Sequence, residues 1–566
     1  MRFMKKRVYV NALAVLLFAW FCAAIIFMAA HQPLSYDDSY NATVASNFAA
    51  GAGWITDYHA PVPFNSTITT GPSLLLPAAA LIKVFGPQLW VPGLTNAVAM
   101  LLVVLLCGVL LRRAIPDDER FLGIVALSLF FLALYEHIIW TQLIGDGFSA
   151  VTLIAALLLF ARASQEHSNW SPAFFAGILF AAALLSKLYA AIAIAGILFA
   201  FSVRIMMAGA SRAGSIPQAL KTVGVALAGA LVLLAPWQLY KYSVLSELSS
   251  ELQLKRALFD EMFFRNFGSG IGALSRADGL FAHVAAVSQK SFNGLVNYLQ
   301  IGTWWGTYFA LCLIALPFIV GAGLLFWRRL NIYALTVLLL SAGASAHWAW
   351  YIFISSGNPR YVRISVVLTC VLLASLLALR LRMAALVVLL GGIFLLPPSK
   401  QDGLAELLLF NTSNEQLVVQ ERFVRASENI AHGEVLAGCS WVVSRVVDYA
   451  SPANSDLSDV VLLLRHALEE MDYKVVSPDA LVTMQHAPDI VLPQPLNIRL
   501  PMNLGEWAFA KRLQLCPIAE YLETVCDQTV FQDGYYAVKT CSISSVPANV
   551  AIAVMASEPI HLSGSL

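Results

Sequence analysis

Apolar windows long enough to span a bilayer recur along the first 397 residues, at 8–30, 88–111, 121–138, 147–161, 172–186, 188–204, 222–240, 301–327, 331–352, 362–379 and 383–397. A hydrocarbon layer about 30 Å thick satisfies no backbone N–H or C=O from outside, so each window must close its own hydrogen bonds as a helix. The pattern predicts a polytopic α-helical membrane protein with about eleven transmembrane helices. A chain that is 59% hydrophobic and only 12% charged, with a mean hydropathy of +0.72, excludes a soluble globule. The opening MRFMKKRVYV leads into an apolar run too long for a signal-peptide core, which predicts an uncleaved first helix.

Charge sets the orientation. With Lys5, Lys6 and Arg7 in the cytoplasm, Arg112 and Arg113, Arg162, Arg204 and Arg212, Arg328 and Arg329, and Arg380 and Arg382 fall on that same side. The C-terminus is then exported, which predicts a bacterial inner or plasma membrane protein with a periplasmic or extracellular tail. Residues 1–400 carry 26 Lys and Arg against 14 Asp and Glu, whereas residues 401–566 carry 9 against 20. The imbalance separates a membrane domain, 1–397, from an acidic extracytoplasmic domain, 398–566. Neither carries the basic, aromatic-interleaved stripe of a nucleic-acid binder.

The tail alternates strand-like runs (EVLAGC, YKVV, DIVLP, YYAVKTC) with helix-like ones such as DLSDVVLLLRHALEEMD, which predicts an α/β domain. Its four cysteines, Cys439, Cys516, Cys526 and Cys541, are placed for two disulfides in an oxidising compartment, with three possible pairings. Two long external loops, 31–87 and 243–299, contain semi-apolar stretches that read as interfacial helices: YNATVASNFAAG, GPSLLLPAAALIKVFG and LFDEMFFRNFGSG.

The predicted topology brings scattered ionisable groups to one outer face. Asp37 and Asp38 follow the first span, Asp146 opens the fourth in LIGDGFSA, and Lys187 stands at the turn between the fifth and sixth in LLSKLYA. Lys83 lies in the second loop helix, and Arg360 and Arg363 begin the tenth span in SSGNPRYVRIS. Asp37 and Asp38 alone are compatible with a solvated loop, Asp146 with a helix cap, and each cation with a snorkelling anchor. Together, carboxylates can supply a general base or oxygen ligands for a divalent cation (Mg, Mn or Ca, with Asp38 and Asp146 as the ligands), while the cations can hold a phosphate.

In order along residues 1–380, the stretches DDSYNATVASNFAAGAGW, TTGPSLLLPAAALIKVFG, LIGDGFSAVTLIAALLLF, GILFAAALLSKLYA, APWQLYKY and NPRYVRIS resemble the GT-C superfamily of membrane glycosyltransferases. These enzymes use polyprenyl-phosphate-linked sugars; they include protein mannosyltransferases, aminoarabinose transferases and arabinofuranosyltransferases. The resemblance implies that Asp37 or Asp38 is the catalytic base, that Arg360 meets the donor phosphate, and that Lys187 stands in the family's Thr-Lys-like turn; with Lys83 on the same rim, Arg360, Lys187 and Lys83 are the expected donor-phosphate ligands. It also implies a second acidic position at Asp146, with a divalent cation required in some members and not in others. The implied partners are a polyprenyl-phosphate sugar donor, membrane lipids and an acceptor that is a glycan, lipid or protein. The Asp-Asp pair with Tyr40 two positions on looks more like the arabinofuranosyltransferase branch than the mannosyltransferase one. A polytopic transporter or lipid flippase is the alternative reading of the spans; it would place its ionisable groups near the bilayer midplane.

Overall fold

The computed structural model describes residues 2–57, 61–63, 70–114, 137–165, 170–207, 215–246, 279–299, 303–327, 330–355, 359–380, 415–428, 434–436, 489–505, 508 and 519–547. In chain order the elements are α1 (Arg2–His31), α2 (Tyr36–Ala50), a β1–β2 hairpin (Ile55–Asp57, Pro61–Pro63), α3 (Pro72–Phe85), α4 (Val91–Ala114) and the short α5 (His137–Thr141). There follow α6 (Asp146–Ala163), α7 (Ser171–Ser186), α8 (Ala190–Met207), α9 (Ser215–Ser246), α10 (Gly279–Leu299), α11 (Thr303–Leu325) and α12 (Ile332–Phe353). A 3-10 turn (Pro359–Val362) leads into α13 (Arg363–Arg380). The last elements are α14 (Glu415–Glu428), β3 (Glu434–Leu436), β4 (Ile490–Asn503), α15 (Ala519–Val525), β5 (Gln528–Gln532) and β6 (Tyr536–Val546).

The chain divides into two compact units. The first comprises residues 1–30, 65–77 and 93–412 and is helical throughout its described part. Among the described residues six helices are long and apolar enough to cross a membrane: Val91–Leu110, Asp146–Ala163, Ala190–Met207, Pro217–Tyr240, Trp304–Leu325 and Ile332–Phe353. The predicted windows at 8–30, 172–186 and 362–379 coincide with α1, α7 and α13. Those at 121–138 and 383–397, and the amphipathic LFDEMFFRNFGSG, lie largely or wholly outside the described residues. Helix α6 packs against α7 and α13, α7 against α9, and α12 against α8, α10, α11 and α13. Ala150, Ala155, Ala156, Ala161, Ala176 and Ala183 line this interior fully buried. In lipid, helices gain little from burying apolar area against each other, and small residues give them close packing instead.

The second unit comprises residues 31–64, 78–92 and 413–566. Its sheet has the order β3–β4–β6–β5, with β3 parallel to β4 and the other pairs antiparallel. Helix α14 lays Val419 and Phe423 on Tyr536 and Val538 of β6, with the Phe423 and Tyr536 rings 4.8 Å apart. The predicted strands EVLAGC, DIVLP and YYAVKTC contribute to β3, β4 and β6, whereas YKVV and DLSDVVLLLRHALEEMD lie outside the described residues.

The division differs from the one drawn from composition. Residues 31–64 and 78–92, most of the first external loop, belong with the tail. Gln420 on α14 explains part of this: its carboxamide accepts the Leu34 N–H at 3.0 Å and donates to the Leu34 carbonyl at 2.9 Å.

Cys526 and Cys541 form a disulfide that ties the end of α15 to β6; Cys439 and Cys516 lie outside the described residues. The bridged cysteines are 15 residues apart. In the loop-entropy picture a loop of that size contributes about 3 kcal/mol. Replacing both cysteines with Ser should therefore lower the stability of the tail by about 3 kcal/mol, read as a shift in the urea dependence of its proteolysis in the full chain.

Candidate functional site

Helix α6 begins abruptly at Gly145, whose φ of 77° lies in the left-handed region. A side chain there would also stand 2.8 Å from Ser186 Oγ, so both conformation and space call for glycine. The Ser186 hydroxyl donates to the Gly145 carbonyl at 3.0 Å, and the Gly71 N–H donates to the Ser186 carbonyl at 3.2 Å. A Cβ at Gly71 would overlap the Leu185 carbonyl, 1.7 Å away. Three segments distant in sequence, TGPS, LIGDG and LLSKLY, are thereby joined by one side-chain and one backbone hydrogen bond, and Asp146 occupies the first turn of α6.

Asp146 is fully buried. Among the described residues of the first unit it is the sole carboxylate. The three-residue connection between α7 and α8 turns both Lys187 and Tyr189 onto it. Lys187 Nζ is 3.7 Å from Oδ1, and the Tyr189 hydroxyl donates to the same oxygen. Arg363, the first residue of α13, donates from a terminal nitrogen to Oδ2 at 3.2 Å. Arg360, one turn earlier, is close enough to act electrostatically on both Asp146 and Tyr189. Burial first, and then the Asp146 carboxylate, hold the Tyr189 phenol well above its ordinary pKa, so it serves as a neutral donor at any physiological pH.

Aromatic rings enclose this group. Tyr189 stacks on Trp350 at 5.6 Å, and Tyr361 lies 5.5 Å from Tyr189 and 6.0 Å from Trp350. His347, fully buried on α12, stands 5.1 Å from Trp350, with Nδ1 2.5 Å from the Ser365 hydroxyl. Its Nε2 has no hydrogen-bond partner among the described residues.

Three cations, Lys187, Arg360 and Arg363, thus gather about one buried carboxylate. The guanidinium groups and the ammonium suit a phosphate, Arg by its planar fork and Lys as a point charge.

In the second unit, Asp37 and Asp38 lie in the first turn of α2, where a helix N-terminus favours negative charge. Their side chains have different surroundings. Asp38 is buried and closes a capping box: its Oδ2 accepts the Ser35 N–H at 3.0 Å and the Ser35 hydroxyl at 2.6 Å. Asp37 is half-buried and lies outside that box.

The sequence pointed to a divalent cation at Asp38 and Asp146, and these donor sets do not fit one. Both oxygens of Asp146 face cations or a phenol, whose charges and protons oppose a metal ion, and Asp38 is committed to its cap. Among the described residues no group of three His, Cys, Asp or Glu side chains stands together. Of the expected phosphate ligands, Lys187 and Arg360 are in the Asp146 group, while Lys83 is exposed in the last turn of α3 and belongs to the other unit. Tyr189 and the ring cluster were not anticipated, and Arg363 had no assigned partner. Their only sequence signal is that LLSKLY, HWAWY and RYVR concentrate polar and aromatic residues at the ends of apolar spans.

No family model and no curated protein matches the sequence. Among solved structures, the chain is similar to ArnT from Cupriavidus metallidurans bound to undecaprenyl phosphate, with a TM-score of 0.54 and 15% identity over 95% of this chain and 98% of that one. ArnT in the apo state gives 0.53 and 14% over the same shares. An Archaeoglobus fulgidus oligosaccharyltransferase complex with Zn and sulfate gives 0.39 and 13%, over 95% of this chain and 76% of that one. The chain thus shares the fold of ArnT, and with six described helices long and apolar enough to cross a membrane it is a polytopic helical membrane protein.

Removing one member of a buried charge pair leaves its partners uncompensated, at a cost of about 3–5 kcal/mol. Asp146→Ala should therefore lower the thermal stability of the detergent-purified protein sharply, and Asp146→Asn less, because the amide keeps an acceptor for Tyr189. Melting curves indistinguishable from the parent would contradict the pairing.

Proposed function

We propose that this protein is an inverting membrane glycosyltransferase that moves a sugar from a polyprenyl-phosphate donor to an acceptor hydroxyl. The observation that carries the reading is the gathering of Lys187, Arg360 and Arg363 about the buried Asp146, an ammonium and two guanidinium groups of the kinds that recognise phosphate. It occurs in a fold shared with a protein crystallised with undecaprenyl phosphate. The positive-inside pattern favours chemistry on the outer face, with the N-terminus cytoplasmic.

In this reading Arg360 and Lys187 hold the donor phosphate, while Asp146 and Tyr189 hold those cations in position. The acceptor oxygen attacks the anomeric carbon, and the bond from that carbon to the phosphate oxygen breaks with its electron pair remaining on the phosphate. The acceptor proton passes to Asp37, the more exposed member of the acidic pair, and Asp38 keeps the helix start in place. Guanidinium and ammonium groups stabilise the charge that grows on the leaving phosphate, a contribution larger in the transition state than in the ground state. A single displacement inverts the anomeric configuration. The Asp37-Asp38 pair followed by Tyr40 favours a pentofuranose such as arabinofuranose as the sugar, with a cell-envelope glycan, lipid or protein as acceptor.

Transfer from synthetic polyprenyl-phosphate sugars, arabinofuranose, aminoarabinose and mannose among them, tests the reading in reconstituted membranes. Asp37→Asn should lower kcat by about 10²–10⁴-fold, the usual contribution of a general base, with donor affinity kept. Asp38→Asn should instead destabilise α2 by about 1 kcal/mol through the cap, with a smaller loss of turnover. Arg360→Lys should weaken donor affinity or turnover by about tenfold, since an ammonium cannot reproduce the bidentate fork. Full activity in both Asn variants would remove the acidic pair from the chemistry.

A further inference from the structure

The tail contains a contact with the loop bearing the acidic pair that its α/β fold does not require. Gln420 is nearly fully buried on α14 and uses its whole carboxamide. Oε1 accepts the Leu34 N–H at 3.0 Å, and Nε2 donates to the Leu34 carbonyl at 2.9 Å and to the Tyr536 hydroxyl at 3.0 Å. A side-chain amide that pairs with both polar groups of one residue acts as a strand partner would, fixing where that residue lies and how it is rotated. Buried in this way, the three bonds leave no polar atom of the amide free to exchange with water.

Leu34 is itself buried and immediately precedes Ser35, the N-cap of α2. From Ser35 onward the backbone is locked by the capping box with Asp38 and by the Ser39 N–H donating to the Ser35 carbonyl at 3.0 Å. Fixing residue 34 thus fixes the entry of the helix whose first turn carries Asp37 and Asp38. The anchor is firm at its other end: Phe423, one turn along α14 from Gln420, packs on Tyr536, and β6 lies between β4 and β5 in the sheet.

We propose that the tail sets the aim of the acidic helix, with Gln420 as a positioning residue for the carboxylate that takes the acceptor proton. This rests on the glycosyltransferase reading and deepens it. On this reading the exported domain is a structural support of the loop that bears the acidic pair.

The test uses the full-length protein in lipid nanodiscs and three readouts: kcat for sugar transfer, donor affinity, and hydrogen exchange of the backbone amides of residues 35–50. Gln420→Ala removes all three bonds. It should lower kcat by about 10–100-fold, the cost of misplacing a reacting group by about 1 Å. Donor affinity should stay within about twofold, because a misplaced base alters the transition state more than the bound ground state, and exchange of the α2 amides should rise. Tyr536→Phe deletes one hydroxyl and leaves both Leu34 bonds; it should shift kcat in the same direction by a few-fold, about the worth of one hydrogen bond. This milder variant keeps the proposal testable if Gln420→Ala does not fold.

Parental kcat and parental exchange in Gln420→Ala would overturn the proposal, as would kcat and donor affinity falling together in step with loss of folded protein. If Asp37→Asn is inactive while Gln420→Ala is fully active, the positioning role alone fails. If Asp37→Asn and Asp38→Asn are both fully active, the glycosyltransferase assignment of the pair fails first, and the proposal with it.

Discussion

The first unit depends on one buried carboxylate. Asp146 joins three parts of the chain that are far apart in sequence: α6, the turn after α7 and the start of α13. Its two oxygens engage Lys187, Tyr189 and Arg363 together, and so hold the turn after α7 and the start of α13 to the first turn of α6. Removing a charge from such a buried group costs several kcal/mol. The rings of Tyr189, Trp350 and Tyr361 pack on one another beside these charges.

The acidic helix of the second unit is stabilised differently. Asp37 and Asp38 sit at a helix N-terminus, where the backbone dipole favours them, and a capping box ties one of them down. Putting two adjacent carboxylates in one turn costs repulsion, and the cap relieves it by giving Asp38 two donors of its own. The pair is thereby differentiated into a structural member and a more accessible one. That division of roles is what a proton acceptor beside a supporting carboxylate needs.

The helices of the membrane unit were legible because an apolar window of spanning length has one structural solution. Asp146 and Lys187 were legible because ionisable residues at the ends of such windows are rare. The Arg363 partner was not, since 217 residues separate it from Asp146 and any of several cations could have served. Strand β4 was underestimated for a local reason: Pro493, Pro495 and Pro501 interrupt it, and proline usually argues against a paired strand. The sheet accommodates the first two at an irregularity in register between Val491 and Leu496, and Pro501 lies beyond the short stretch paired with β3. Assigning the first loop to the tail was beyond sequence altogether, because it runs through one glutamine and a backbone segment 386 residues away.

The most direct test is binding of undecaprenyl phosphate against undecaprenol, which share a hydrocarbon chain and differ in the phosphate, by the purified protein in nanodiscs. The parent should bind the phosphate saturably, and Lys187→Ala should weaken that binding by about tenfold or more, the loss expected for one charge-assisted contact of about 1.5–3 kcal/mol. The alcohol should bind weakly and equally to parent and variant. Equal affinity for the two lipids, or phosphate binding unchanged in Lys187→Ala, would contradict the assignment of the buried cations to a lipid phosphate.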